Sequence, residues 1–355
     1  MTSKTKISKT KISRRQFCAT AAGVTAAAIV PRSSLADSNF YKGKTVQLVV
    51  PFSPGGIFDI AGRIVARHLT NHIEGNPSVV VQNQPGAGGL SAANRLANST
   101  PRDGLTIATV SRSIPQLYYC GDANVQFDPM KLTWLGSLSS YADDAYLLVV
   151  MASSPFKTIE DARKTKVNLA GVGVGSTNTT FALIAKELLG VNTDVVRGFP
   201  GANDIWLAME RGEIDGQVID ISAIMASRPQ LWNEKKLRVL VQFARNTRMS
   251  TLPDVPTGRE LVKDPKDRAY LEFAENPFFM ALPFAAPPEI PADRAEILEK
   301  AFMKMAMTPA FRAEMQQAGM NTSPVDGKFV KKVIEEAAAT PKDVRERLGK
   351  LIIAK

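Results

Sequence analysis

Short apolar runs that end in glycine or proline and give way to helical spacing recur along this chain. Val46-Gln-Leu-Val-Val-Pro-Phe52 runs into Ser53-Pro54-Gly55-Gly56, and a helix is predicted from Asp59, with Ile60, Ile64, Val65 and Leu69 near one face. A strand over 79–81, a glycine-rich loop over 85–89, a short helix over 92–97 and a third strand over 105–110 follow. The same grammar then repeats. The run 147–150 reads as a crossing into a second unit, Thr158-Ile-Glu-Asp161 as a helix start, and 167–170 as a strand leading into Gly171-Val-Gly-Val-Gly-Ser-Thr177. Phe181, Ile184, Ala185 and Leu188 then fall at i, i+3, i+4 and i+7, with Gly190 placed to cap the helix. A strand over 194–197, a helix over about 202–211 and a strand over 217–221 complete this unit. The segment 278–282 carries the chain back, and a C-terminal helix sets Ile297, Leu298, Ala301, Phe302 and Met305 on one face.

Strand, glycine loop and helix in alternation predict parallel sheets with binding loops at the carboxyl ends of the strands. The expected fold is α/β and two-lobed, a parallel-rich sheet in each lobe and a cleft between them. The expected boundaries are 37–146 plus 276–355 for lobe 1 and 147–275 for lobe 2.

Composition adds a compartment. The chain has 355 residues, 45% apolar and 22% charged, enough for two ordinary domains and against disorder. Its formal charge of +10 suggests nucleic acid until its distribution is read. Residues 1–36 hold seven Lys and Arg and no acid, which leaves +3 on the remaining 319. Ser13-Arg14-Arg15-Gln16-Phe17, a weakly apolar stretch over 18–30 and Ser34-Leu35-Ala36 have the layout of a twin-arginine-type signal peptide cleaved near Ala36. About 13 apolar residues fall short of the ~20 needed to span a bilayer. The expected compartment is the periplasm, and cleavage leaves only Cys120, so no internal disulfide. Nucleic-acid binding does not fit a small mature charge on an exported protein.

Three glycine-rich loops precede helix starts, where unpaired amides and the helix dipole attract anions; the plain alternative is tight turns. No G-x-x-x-x-G-K-[ST] occurs, and Gly171-x-Gly173-x-Gly175 lacks the dinucleotide spacing. No G-x-S-x-G elbow is present, and His68 and His72 read as a surface pair on one helix. No catalytic constellation, metal site or cofactor is implied.

Read together, Tyr41-Lys-Gly-Lys-Thr-Val-Gln-Leu-Val-Val-Pro-Phe-Ser-Pro-Gly-Gly-Ile-Phe-Asp59 and Gln82-Asn-Gln-Pro-Gly-Ala-Gly-Gly89 closely resemble the Bug family, periplasmic substrate-binding proteins of tripartite tricarboxylate transporters. The likeness continues through Pro101-Arg-Asp-Gly-Leu-Thr-Ile107, Trp134-Leu-Gly136, Gly212-Glu-Ile-Asp-Gly-Gln-Val-Ile-Asp220 and Leu252-Pro-Asp-Val-Pro-Thr257. It implies a Venus-flytrap (type II) binding protein that captures a small carboxylate and delivers it to the membrane subunits of such a transporter, with a monomer as the default. Carried onto this sequence, it puts Ser53, Gly55, Gly56, Ile57, Phe58 and Asp59 in one jaw and Ala87, Gly88 and Gly89 in the other. Gly175, Ser176, Thr177, Phe199, Gly201, Ala202 and Asp220 come from the second lobe. Phe199-Pro200-Gly201-Ala202 stands where relatives often carry Tyr-Lys-Gly.

Three side chains carry open alternatives. Phe58 walls the cleft, favouring a less polar acid, or tucks under the helix. Arg112 pairs with a carboxylate in the cleft or stays solvated at the surface. Asp59 caps the helix or steers a polar ligand group. The competing functions are ligand sensing for a signalling partner and, behind it, an exported enzyme in the same cleft. Hinge closure through 147–150 and 278–282 would serve transport and sensing alike.

Overall fold

The computed structural model describes Thr2 and residues 39–353, Asp143 and Gly175 excepted. Apart from Thr2, the expected leader lies outside the described residues, as do Cys18 and Gly175. Among the described residues, no helix is long and apolar enough to cross a membrane.

The first unit opens with β1 (Thr45–Val50), α1 (Ile57–Leu69), β2 (Ser78–Asn83), α2 (Leu90–Asn98), β3 (Thr106–Thr109), α3 (Ile114–Tyr119) and β4 (Thr133–Ser137). The second unit runs β5 (Tyr146–Met151), α4 (Ile159–Lys164), β6 (Val167–Gly171), α5 (Thr177–Leu189), β7 (Thr193–Arg197), α6 (Ala202–Glu210) and β8 (Gly216–Asp220). It closes with α7 (Ile221–Ser227), α8 (Pro229–Asn233), β9 (Leu237–Phe243), α9 (Gly258–Leu261) and α10 (Pro265–Glu275). The chain returns through β10 (Pro283–Ala286), α11 (Ala292–Ala306), α12 (Pro309–Gln317), β11 (Val325–Asp326), α13 (Gly327–Ala339) and α14 (Lys342–Ile353).

The strands form two sheets, ordered β11-β4-β10-β3-β1-β2 and β7-β6-β8-β5-β9. Both are mixed. β1 pairs in parallel with β2 and β3, and β6 with β7 and β8, which are the halves built from strand–loop–helix crossovers. The other half of each sheet is antiparallel, because strands that enter from or return to the other lobe arrive against the grain: β10 beside β3 and β4, and β5 between β8 and β9.

Local chemistry explains the main helices. Gly62 lets α1 lie close on β1, since a side chain there would come 2.9 Å from Val50 Cγ2. Thr158 and Asp161 form the capping box that starts α4, and Gly190, at φ +69°, ends α5 in the left-handed conformation. Leu298, Ala301, Phe302 and Met305 of α11 join α1 and α12 in the core on one face of the first sheet. β5 is buried on both faces: Tyr146, Leu148 and Val150 join a core shared by both lobes, while Leu147 and Val149 face α6 and α7. Residues 147–150 are therefore ladder-bonded on both sides. α14 leans across the molecule: Arg345 donates to the Tyr119 carbonyl, while Arg347 pairs with Glu187 of α5 and Asp267 of α10.

An aromatic cluster joins the lobes. Phe181 is fully buried, with its ring centroid 5.4 Å from Tyr146, 5.1 Å from Phe243 and 5.2 Å from Phe278. Phe181→Ala is expected to cost about 3–5 kcal/mol in urea unfolding; a loss below ~1 kcal/mol would mean the cluster collapses into the space without penalty.

Candidate functional site

The loop that follows β1 is shaped by Asp59. Its side chain accepts from the Gly55 amide at 2.9 Å, from Arg63 Nε at 3.1 Å and from Asn83 Nδ2 at 2.9 Å. Asn83 also donates to the Phe52 carbonyl at 3.0 Å, so strand end, loop and helix are tied at one carboxylate. Burial opposes ionisation, but the bonds from Arg63, Gly55 and Asn83 hold Asp59 below the usual carboxylate range. Asp59 is thus not the helix cap: the N-cap is Gly56, and Asp59 sits three residues inside, holding Gly55 at φ +85°.

Gly56 provides no side-chain cap, and neither does Gly201 at the start of α6. The first-turn amides of both helices, one from each lobe, are left without the side-chain oxygen that usually satisfies one of them. These ends meet across the cleft. Ser53 Oγ donates to Asp204 Oδ2 at 2.6 Å, Gly55 lies against Asn203, and a side chain at Gly201 would collide with Ser53 Oγ. A third helix start, that of α5, is capped by Ser176, which accepts from the Asn178 amide at 3.3 Å. Asn178 Nδ2 in turn donates to the Val218 carbonyl at 2.7 Å, pinning α5 to β8.

At the base of the cleft Arg112 is 4% exposed, which removes the solvated surface alternative. Its Nη2 donates to both oxygens of Asp220, at 2.9 and 2.8 Å, and its Nε to Thr177 Oγ1 at 3.2 Å. The guanidinium carbon lies 4.6 Å from the Phe278 ring centroid and 5.3 Å from that of Tyr146. Burial alone would lower the Arg112 pKa; the Asp220 carboxylate outweighs it and keeps the group charged. Tyr146 Oη lies 3.3 Å from Thr177 Oγ1 and is held protonated, chiefly by burial and then by Asp220. Asp144, buried behind the pair, accepts from the Ala145 and Ser222 amides at 2.8 and 3.4 Å. Burial first, then the Asp220 charge, push its pKa up to about 7.

Two hollows result. The enclosed one, about 50 Å³, is lined by Gly56, Ile57, Phe58, Arg112, Ser176, Thr177, Ala202 and Asp220. Eight of the expected residues are thereby brought together. Phe58 is half-buried, faces this hollow and packs on Phe52 at 4.8 Å between centroids, so the wall and the packing alternatives are both realised. Ala87, Gly88 and Phe199 line a second, open hollow of about 770 Å³ together with Asn94, Arg197 and Gly198. A side chain at Gly173 would come 2.7 Å from the Gly88 amide, so the second jaw closes directly on the other lobe. Gly89 faces neither hollow; it packs on Ser111 and Pro51. Ser53, Gly55 and Gly201 are used in contact between lobes.

Sequence reading missed Phe52, Tyr146, Val172, Asn178, Ile219 and Ala223 in the enclosed hollow, and Asp144 behind it. Asp144 carries a signal in retrospect: an acid one residue from a fully apolar strand needs a reason to be there. His68 is not a free surface group, since Nε2 lies 2.6 Å from Glu314 and the ring rests edge-on against Phe311. Among the described residues, no group of three or more His, Cys, Asp or Glu is placed to hold a metal.

Comparison with known proteins identifies the family of the chain. Residues 62–350 match the family model described as the tripartite tricarboxylate transporter family receptor, and the chain belongs to that family. The UPF0065 protein in the gbd 5' region of Cupriavidus necator is 29% identical over 93% of this chain and 95% of its own. The periplasmic binding protein BugD shares the fold with a TM-score of 0.70 at 20% identity, over 87% of this chain and 99% of its own. MatC of Rhodopseudomonas palustris, solved with bound malate, superposes with a TM-score of 0.67 at 23% identity, covering 85% of this chain and 99% of that one.

Breaking the buried pair from one side strands a charge. Arg112→Met is expected to destabilise by about 3–5 kcal/mol, and Arg112→Met with Asp220→Leu to recover most of that loss in urea unfolding; a double variant as weak as the single would refute the charge argument. Asp144 gives a pH signature. Its folded pKa lies above the unfolded value of 3.8, so its stabilising contribution is full below pH ~4 and is lost as pH rises through about 7. Between pH 5 and 8 the wild type should lose more stability than Asp144→Asn; parallel profiles would show that Asp144 does not titrate there.

Proposed function

We propose that this receptor-family chain is a periplasmic solute-binding protein that takes a small organic carboxylate between its lobes and delivers it to the membrane subunits of a tripartite tricarboxylate-type transporter. The observation that carries the reading is the meeting, across one cleft, of two glycine-capped helix starts, those of α1 and α6, above a neutralised Arg112–Asp220 base. Amide dipoles and water hold an anion there without a dedicated cation. Malate bound to MatC supports a carboxylate as the ligand class.

The reading assigns the anion to the amides at Gly56, Ile57 and Phe58 and to Ala202 opposite, with Ser176 and Thr177 at its side. The loop carrying Ala87 and Gly88 acts as the outer jaw. No cofactor and no chemical step belong to it, and the binding unit is a monomer. The segment 1–36 serves as its twin-arginine-type export signal. The lobes are 37–146 plus 276–355 and 147–275, with α14 leaning from one to the other. The hollow of about 50 Å³ is small for an organic acid, and the reading has the lobes part to admit one.

The test is thermal unfolding of the purified protein with a panel of carboxylates. A ligand at a hundredfold excess over its dissociation constant stabilises by ~2.7 kcal/mol. Gly56 has φ −86° and open space where a side chain would go, so Gly56→Asp folds without strain and caps α1 itself. We expect this variant to match or exceed the wild type by a few tenths of a kcal/mol without ligand, and to lose the ligand-induced shift. A full shift in Gly56→Asp would move the anion away from α1, and no shift with any acid would remove the receptor reading.

A further inference from the structure

We infer that the cleft selects a monoanionic acid with an apolar or aromatic body over di- and tricarboxylates; this rests on the receptor reading and names the class of ligand for the same site. Arg112 is the one cation among the described residues lining the enclosed hollow. It is already spoken for: Nη2 serves both oxygens of Asp220, Nε serves Thr177, and one ring, Phe278, lies 4.6 Å from the guanidinium carbon. Asp144 adds a second buried acid beside Asp220. The base of the cleft therefore has no net positive charge to offer a second ligand carboxylate.

The rest of the wall points the same way. Phe52, Ile57, Phe58, Val172 and Ile219 bring carbon to the hollow, with Ala202 and Ala223 small enough to leave room beside them. One carboxylate is matched by the amides at the starts of α1 and α6. A second would be buried against Asp220 or against these side chains, and an ionised group without a partner in such surroundings is strongly disfavoured. To gain Arg112, it would have to displace Asp220 and leave that carboxylate stranded in its place. An apolar tail meets no such penalty and gains contact with Phe58 and Phe52.

The pair of ligands that decides this is hexanoate and adipate, equal in chain length and differing by one carboxylate, measured by titration calorimetry at pH 7.5 and fixed ionic strength. The wild type is expected to bind hexanoate about tenfold or more tighter than adipate, a gap of ~1.4 kcal/mol. Asp220→Asn keeps an oxygen facing Arg112 and removes the charge, so the ratio should fall towards one or invert. Phe58→Ser provides the second arm if Asp220→Asn fails to unfold cooperatively: it should weaken hexanoate more than adipate and so narrow the ratio. Adipate binding the wild type as tightly as hexanoate overturns the inference and leaves the receptor reading standing. A ratio unmoved by both variants also overturns it, and failure of every acid to bind overturns both.

Discussion

The ion pair between Arg112, just past β3, and Asp220, at the end of β8, is the constraint around which the rest is arranged. It links the end of a strand in one sheet to the loop after a strand in the other, and both groups are almost fully removed from water. A pair so buried forms only when every remaining donor and acceptor is met. That requirement accounts for Thr177 under Nε, for Phe278 and Tyr146 flanking the guanidinium, and for the aromatic cluster that holds those rings in place. It also contributes to the state of Asp144, where burial first and the nearby Asp220 charge second oppose ionisation. Packing, protonation and lobe contact are one problem here, solved at one point.

Above the pair, the site is made mostly of backbone. Glycine at 56 and 201 leaves helix amides uncapped, and glycine at 55, 88 and 173 lets opposing main chains approach where a Cβ would intrude or a left-handed turn is needed. Such a surface recognises charge and shape without committing to a particular side chain. On the proposed reading, the side chains beside it, Ile57 and Phe58 above all, set what kind of molecule accompanies the anion.

Local signals made much of this legible in the sequence. Strand–glycine–helix units are written in consecutive residues, so α1, α5 and α6 and the loops before them were readable to within a few positions. The cap at Gly190 and the capping box at Thr158 are equally local. What could not be read depends on partners far along the chain. Arg112 resembles a surface residue until Asp220, 108 positions away, is placed beside it. Asp59 looks like a cap until Asn83, 24 positions away, is placed beside it to share its oxygens with Arg63 one turn on. The antiparallel halves of the sheets follow from where strands re-enter, which periodicity does not encode.

The closed arrangement has a consequence for how such a receptor can signal its load. Ser53 with Asp204 and Arg112 with Asp220 hold the lobes together through the chain's own groups. A ligand shifts an equilibrium only by its differential affinity for the two states, so contacts the chain makes with itself contribute nothing to that difference. On the proposed reading, what a ligand adds is its own contacts: charge at the uncapped α1 and α6 starts, and carbon against Phe52 and Phe58. Selectivity and closure therefore draw on the same few groups. A ligand that misses either the amides or the apolar wall gains too little to favour closure over the state in which it entered.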